Sequence, residues 1–211
     1  MTDQPLTRSS TARTRMIEVA EQLFAERGLE GVSLRTVGLA AGQRNNSAAQ
    51  YHFGTRDGLV EAVISHRSAT VDRRRAELVG ALLDDGSTPE LAALVRCFVL
   101  PLAEVVAGGS VDQPTWYLRF LAQVVDFQGG HAVARLAPRP AHLQELEAAM
   151  RAQVPDVAPR DYARRQRWIA QTTLRVLADQ EYEQAQGRRT SPLDRVTDDL
   201  VTMLVALLRA P

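Results

Sequence analysis

Apolar positions recur at helical spacing along most of the chain. In residues 11–27, Ile17, Ala20, Leu23 and Phe24 fall three and four apart, one face of a helix. Gly28 ends that run as a plausible C′ residue. Ser33 stands where an N-cap belongs, ahead of a short helix carrying Leu34 and Val37, and Gly42 closes it. Asn45 or Asn46 can cap a third short helix running to about Phe53, and Thr55 a fourth, much longer one. The fourth is apolar at Leu59, Val63 and Ile64, polar through "SHRSATVDRRRAE", and apolar again at Leu78, Val79, Leu82 and Leu83. Its run of three arginines, 73–75, reads as a solvated face or as a contact for an acidic partner. "DDGSTP" breaks the chain, and Pro89 suits the first turn of a fifth helix, in which Pro101 predicts a kink. Four further helices are expected, over 115–128, 141–154, 160–184 and 193–210, with "GGHAVARLAPRP" as a connection. Alternating β-type stretches are scarce and no internal repeat is found. The expectation is an all-α fold of about nine helices.

Composition adds bounds. The 211 residues are 45% apolar and 24% charged, the balance of a globular protein with a core. The formal net charge is zero, so any surface for a polyanion must come from local placement. Every basic residue is Arg, which excludes Schiff-base lysines and phosphate-loop lysines. The single Cys97 cannot form an internal disulfide and fits a reducing compartment, most simply as a small buried apolar residue. The N-terminus lacks a signal-peptide core and no run approaches about 18 apolar residues, so a cytoplasmic protein without a membrane partner is expected.

The rhythm of the first three helices is that of a helix-turn-helix unit. One helix of about 17 residues meets two short ones joined by a Gly-containing turn, an arrangement that lets the last protrude into a major groove. That logic explains why "QRNNSAAQYHF" holds so many hydrogen-bonding side chains. Asn45, Asn46, Ser47 and Gln50 can meet base edges or phosphates, Asn and Gln pairing bidentately with adenine. Asn45 serves equally well as a helix cap. Arg44 can reach a guanine or a phosphate, Tyr51 and His52 can donate to phosphate oxygens, and Arg35, Thr36 and Arg56 supply backbone contacts. Phe53 anchors the helix to the core. The expected division is a DNA-binding domain over 1–54, with 1–10 a flexible arm, and a ligand-sensing and dimerisation domain over 55–211.

At these residues the chain resembles the tetracycline-repressor (TetR) family of transcriptional regulators. The resemblance is carried by "AEQLFAERGLEGVSLRTVGLAAG" and "YHFGTRDGLVEAV", and more loosely by "ADQE" at 178–181 and "LVTMLVALLRAP" at the end. It implies a homodimer that binds a double-stranded DNA operator and leaves it when a small-molecule effector binds. The turn departs from the family pattern. Ten residues separate Gly42 from Phe53, one more than is usual, and Gln50 falls where a phosphate-binding Tyr is customary. Tyr51 is expected to take over that contact, on a turn that is longer or wound differently. Gly38 sits inside the second helix, and close helix packing is one explanation.

The larger half holds two kinds of candidate. Phe98, Leu102, Trp116, Phe120, Val124 and Phe127 either fill a core or line an apolar effector cavity, with Gln171 and Thr172 as orienting groups. An apolar or amphipathic effector is preferred. Trp168, Thr173, Val176 and Leu177, with Leu200, Leu204, Leu207 and Leu208 on the last helix, are candidates for a four-helix pairing surface. An internal core could use the same stripes. Two reading helices about 34 Å apart then match successive major grooves of a palindrome. No catalytic, metal or cofactor residues are assigned, because nucleophile-elbow, phosphate-loop, dinucleotide and metal-pair patterns are missing from the sequence. The rival reading from another class is an all-α protein-interaction adaptor without specific DNA binding.

Overall fold

A computed structural model describes residues 8–45, 47–83, 88–126 and 141–210. These residues form nine helices and no strand: α1 (Arg8–Arg27), α2 (Leu34–Ala40), α3 (Ala48–Phe53), α4 (Arg56–Leu83), α5 (Leu91–Ala107), α6 (Tyr117–Asp126), α7 (Ala141–Ala152), α8 (Pro159–Ala185) and α9 (Leu193–Arg209). Helix α1 starts at Arg8, so the last three residues of the expected arm are helical. No helix among the described residues is long and apolar enough to cross a membrane.

The chain divides into two compact units, residues 1–67 with 123–137, and residues 68–122 with 138–211. In the first, α1, α2 and α3 pack on one another. Met16, Ile17, Ala20 and Phe24 of α1 are buried with Val37, Ala49 and Phe53. The local stops are those the sequence predicts. The Ser33 Oγ accepts the Thr36 N–H at 3.1 Å, capping α2. Gly42 then turns the chain with φ +73°, a conformation costly for any residue with a Cβ, while the Gln43 N–H returns to the Gly38 carbonyl at 2.9 Å. The Thr55 Oγ1 accepts the Gly58 N–H at 3.0 Å and starts α4.

One pairing in this unit was not foreseen. The Glu21 carboxylate is buried on α1, and the Arg67 guanidinium of α4 holds both its oxygens, Nε to Oε2 at 2.9 Å and Nη2 to Oε1 at 3.3 Å. Glu21 sits four residues from Ile17, inside the apolar stripe, and that misplaced charge is the signal for the pair.

In the second unit α5 packs on α7, α8 and α9. Helix α5 continues through Pro101, which is buried. Cys97 is buried as expected, and burial pushes its thiol pKa up. The start of α6 is held from α8: Glu181, almost fully buried, accepts the Leu118 N–H at 3.3 Å and the Arg119 N–H at 2.9 Å. The end of α9 is held similarly, the buried Arg165 of α8 donating from Nη1 to the Leu208 carbonyl at 2.9 Å. The arginine run is not the solvated face that its charge suggests. Arg73 is exposed, Arg74 pairs with Glu104 and Glu77, and Arg75 is only 5% exposed.

Candidate nucleic-acid interface

Helix α3 is short because its first turn is used up in the approach. The connection from α2 runs over residues 41–47, and Asn45 spends its Oδ1 on the Ser47 N–H at 2.9 Å while its carbonyl accepts the Ala48 N–H at 3.0 Å. Helix begins only at Ala48, later than the sequence predicts, so Asn45 does the work of a local cap. Asn45 is exposed. Asn46 lies outside the described residues.

What α3 buries decides what it shows. Ala49 and Phe53, four apart, face inward. Ala49 meets α2 beside Gly38, and Phe53 lies under the Arg13 guanidinium of α1, 5.4 Å from the ring centre. Ser47, Gln50 and Tyr51, spaced three and four apart, are therefore turned outward together. Tyr51 is 84% exposed, more than any other large apolar side chain described. The His52 ring is half-buried and meets Tyr51 edge to face at 5.2 Å. Gln50 donates from Nε2 to the Gly54 carbonyl, so one of its amide N–H groups is already engaged at the helix end.

Arg35, Thr36, Gln50 and Arg56 share a shallow depression with Glu30, Ser33 and Thr55. Arg35 is exposed there; Thr36 is half-buried, its hydroxyl 2.8 Å from that of Ser33. The half-buried Arg56 reaches from Nη1 to the Leu29 carbonyl at 3.4 Å and ties the start of α4 to the loop before α2. Arg44 is exposed in the turn. The exposed Arg35 thus shares one depression with Gln50 of the outward helix face, an arrangement suited to phosphates at the rim and base edges at the centre.

Residues 16–63 match the profile described as "Bacterial regulatory proteins, tetR family", and residues 96–206 that described as "Tetracyclin repressor-like, C-terminal domain". The chain belongs to the TetR family. It is a DNA-binding regulator, and TetR regulators are generally not enzymes. The "HTH-type transcriptional repressor KstR2" of Rhodococcus jostii (strain RHA1) is 31% identical over 81 residues, 38% of this chain and 39% of that relative's length. Two solved structures share the fold. GusR of Salmonella enterica has a TM-score of 0.53 at 20% identity, covering 98% of this chain and all of that one. The "Probable transcriptional regulatory protein RHA5900" has a TM-score of 0.55 at 20% identity, covering 94% and 100%.

The residues expected to sense and to pair are distributed unevenly. Leu102 and Phe120 are buried, and Phe98, Trp116 and Thr172 half-buried, in the second unit. Val124 is buried but belongs to the first unit, and Phe127 lies outside the described residues. Gln171 points to solvent on α8, away from any interior. The expected pairing stripe is divided between inward and outward sides. Thr173, Leu177, Leu200, Leu204 and Leu208 are buried within the single chain, where α9 packs on α5 and α8. The other sides of the same helices remain open: Trp168 is 44% and Met203 56% exposed, with Val176 and Leu207 half-buried.

Proposed function

We propose that this chain is a ligand-responsive repressor. It binds a palindromic operator as a homodimer and is released when a small apolar or amphipathic molecule occupies the helical body. Residues 1–54 read the DNA and 55–211 sense and pair. The observation that carries the DNA reading is the outward face of α3, where Ser47, Gln50 and Tyr51 share one side because Ala49 and Phe53 occupy the other. Arg44 and Asn45 extend it along the turn, with His52 at its far end, and Asn46 is included for its amide and its place in the sequence alone. Arg35, Thr36 and Arg56 border it and hold phosphates. Tyr51 replaces the customary phosphate-binding Tyr, one position later in the chain.

A partner copy doubles these few contacts, and its face is made of Trp168, Val176, Met203 and Leu207. The effector lies among Phe98, Leu102, Trp116, Phe120 and Thr172. Helix α4 belongs to both units by its residue range and is the lever between them. The effector must bind the two states unequally to move them.

The test starts from selection of bound duplexes out of a random pool. A palindromic winner is expected, with affinity falling steeply between low and moderate salt as counterions are released. Gln50→Ala and Tyr51→Ala should each weaken it while leaving helicity intact. Retrieval of no preferred duplex, or equal binding by both variants, sinks the reading.

A further inference from the structure

Three arginines meet buried surroundings differently. The Arg67 guanidinium links α4 to α1 by gripping both oxygens of Glu21 with its Nε edge. Arg165, 7% exposed, links α8 to the end of α9 through the Leu208 carbonyl. Arg75, buried still deeper at 5%, makes no hydrogen bond to another helix among the described residues. Its one hydrogen-bonded partner among the described residues is Asp72, three residues back on the same helix, from Nη1 to Oδ1 at 3.2 Å. The Nε of Arg75 is buried with no hydrogen-bond partner among the described residues.

Such an arrangement is costly as mere packing. A buried donor without an acceptor carries its full desolvation penalty, larger still for an ionised group. Its position makes the burial systematic rather than accidental: Val71, Arg75 and Val79 fall four apart on the inward stripe of α4, and all three are buried. The surroundings are the second unit's interior. The guanidinium lies 6.0 Å from the centre of the Phe98 ring on α5. Cys97 of α5, Tyr117 of α6 and Glu147 of α7 are near enough that a charge on any of them is felt by it. Burial lowers the Arg75 pKa, but from so high a value that the group stays a cation. Asp72 is the more exposed partner, 19% against 6% for the side chains, so it engages the guanidinium from the outer side.

We propose that the effector of this protein is an organic acid whose carboxylate is taken up by the Nε edge of Arg75. That edge can accept a carboxylate side-on, as Arg67 does with Glu21, and the low-dielectric setting strengthens a charge-assisted bond. Phe98, half-buried beside the guanidinium, then meets the apolar body of the acid. The inference rests on the reading that the helical body senses a small molecule, and it specifies the chemistry of what is sensed. It also provides a means of coupling: the donating guanidinium is attached to α4, and a ligand bound there engages that helix directly.

The test uses the full chain, benzoate and acetate as acidic probes, and benzamide and acetamide as their neutral counterparts. The readout is the Arg75 Nε–H resonance, assigned by its loss in Arg75→Lys. The resonance should move saturably with the carboxylates and stay in place with the amides. Asp72→Asn, which removes the internal competitor and keeps Arg75, should tighten benzoate binding, and this arm stands even if Arg75→Lys does not fold. An unmoved resonance, an equal response to acids and amides, or unchanged benzoate affinity in Asp72→Asn overturns the inference. Operator release by a neutral compound with the resonance unmoved overturns it too, and leaves the sensing reading standing. Benzoate bound at Arg75 with operator affinity unaltered overturns the sensing reading instead.

Discussion

Two glycines on the DNA-binding unit show how little separates a required residue from a tolerated one. A Cβ at Gly58 would lie 2.3 Å from the Phe53 carbonyl oxygen, a backbone atom that cannot swing aside. A Cβ at Gly38 would meet the Ala49 Cβ at 3.8 Å, an ordinary contact. Close packing therefore does not demand the glycine at 38, contrary to the explanation its position in α2 invites. Gly58→Ala is expected to destabilise by roughly 1–3 kcal/mol, as overpacking does. Gly38→Ala should stabilise by up to about 1 kcal/mol through helix propensity. Urea midpoints check both, and a loss at Gly38→Ala would mean that α2 and α3 lie too close for a methyl group. The polar residues of the turn teach the same lesson. Asn45 and Gln50 are visible in the sequence as groups able to read bases, but only the folded backbone assigns part of each to a local bond, on Ser47 and on Gly54.

At the scale of elements, charged side chains join helices that apolar contact alone would leave free to slide. Glu21 and Arg67 join α1 to α4. Arg67→Met leaves the buried carboxylate without its partner and should cost roughly 1–3 kcal/mol. Glu21→Gln should cost less, because Arg67, 41% exposed at the side chain, can turn to water. Chemical denaturation of the two variants orders them, and the reverse order would place the burden on Arg67.

Glu181 fastens α8 to the start of α6, and its sign with pH is the unusual one. Burial raises its pKa, outweighing the Arg119 and Leu118 N–H groups, the Thr115 side chain and the Arg119 charge. Its contribution to stability is thus complete below the unfolded carboxyl pKa and is lost as pH rises through the folded one. The stability of the wild type relative to Glu181→Gln should fall as pH rises across that window. A relative stability that grows with pH would mean that the donors outweigh burial.

At the scale of the whole molecule, the proposed pairing is what operator affinity would rest on, since one short helix touches few bases. The leucines of α9 that look most like an interface are the ones its own domain consumes, which moves the proposed contact to Trp168 and Met203. Trp168→Glu and Met203→Glu should each shift the sedimenting species from dimer to monomer without loss of helicity. Affinity for a palindromic duplex should fall with them, towards that for a half-site. A variant that sediments as a dimer would exclude this face.

Among the described residues, helix order and most helix ends are determined by the sequence alone, because apolar periodicity, Ser33, Thr55 and the terminating glycines act over a few residues and carry their physics with them. The family is equally legible, in the run from Ala20 to Gly42 and in "YHFGTRDGLVEAV". Which side of an all-round apolar helix is filled from within was not legible, since α9 shows the same leucines whether they meet α5 or a second copy. Nor were the partners of Glu21, Arg75, Arg165 and Glu181. Each is marked in the sequence by a charge standing among apolar positions, but the group that answers it lies on another helix, or, for Arg75, is left unanswered at Nε. Such pairings depend on distances that only tertiary packing fixes.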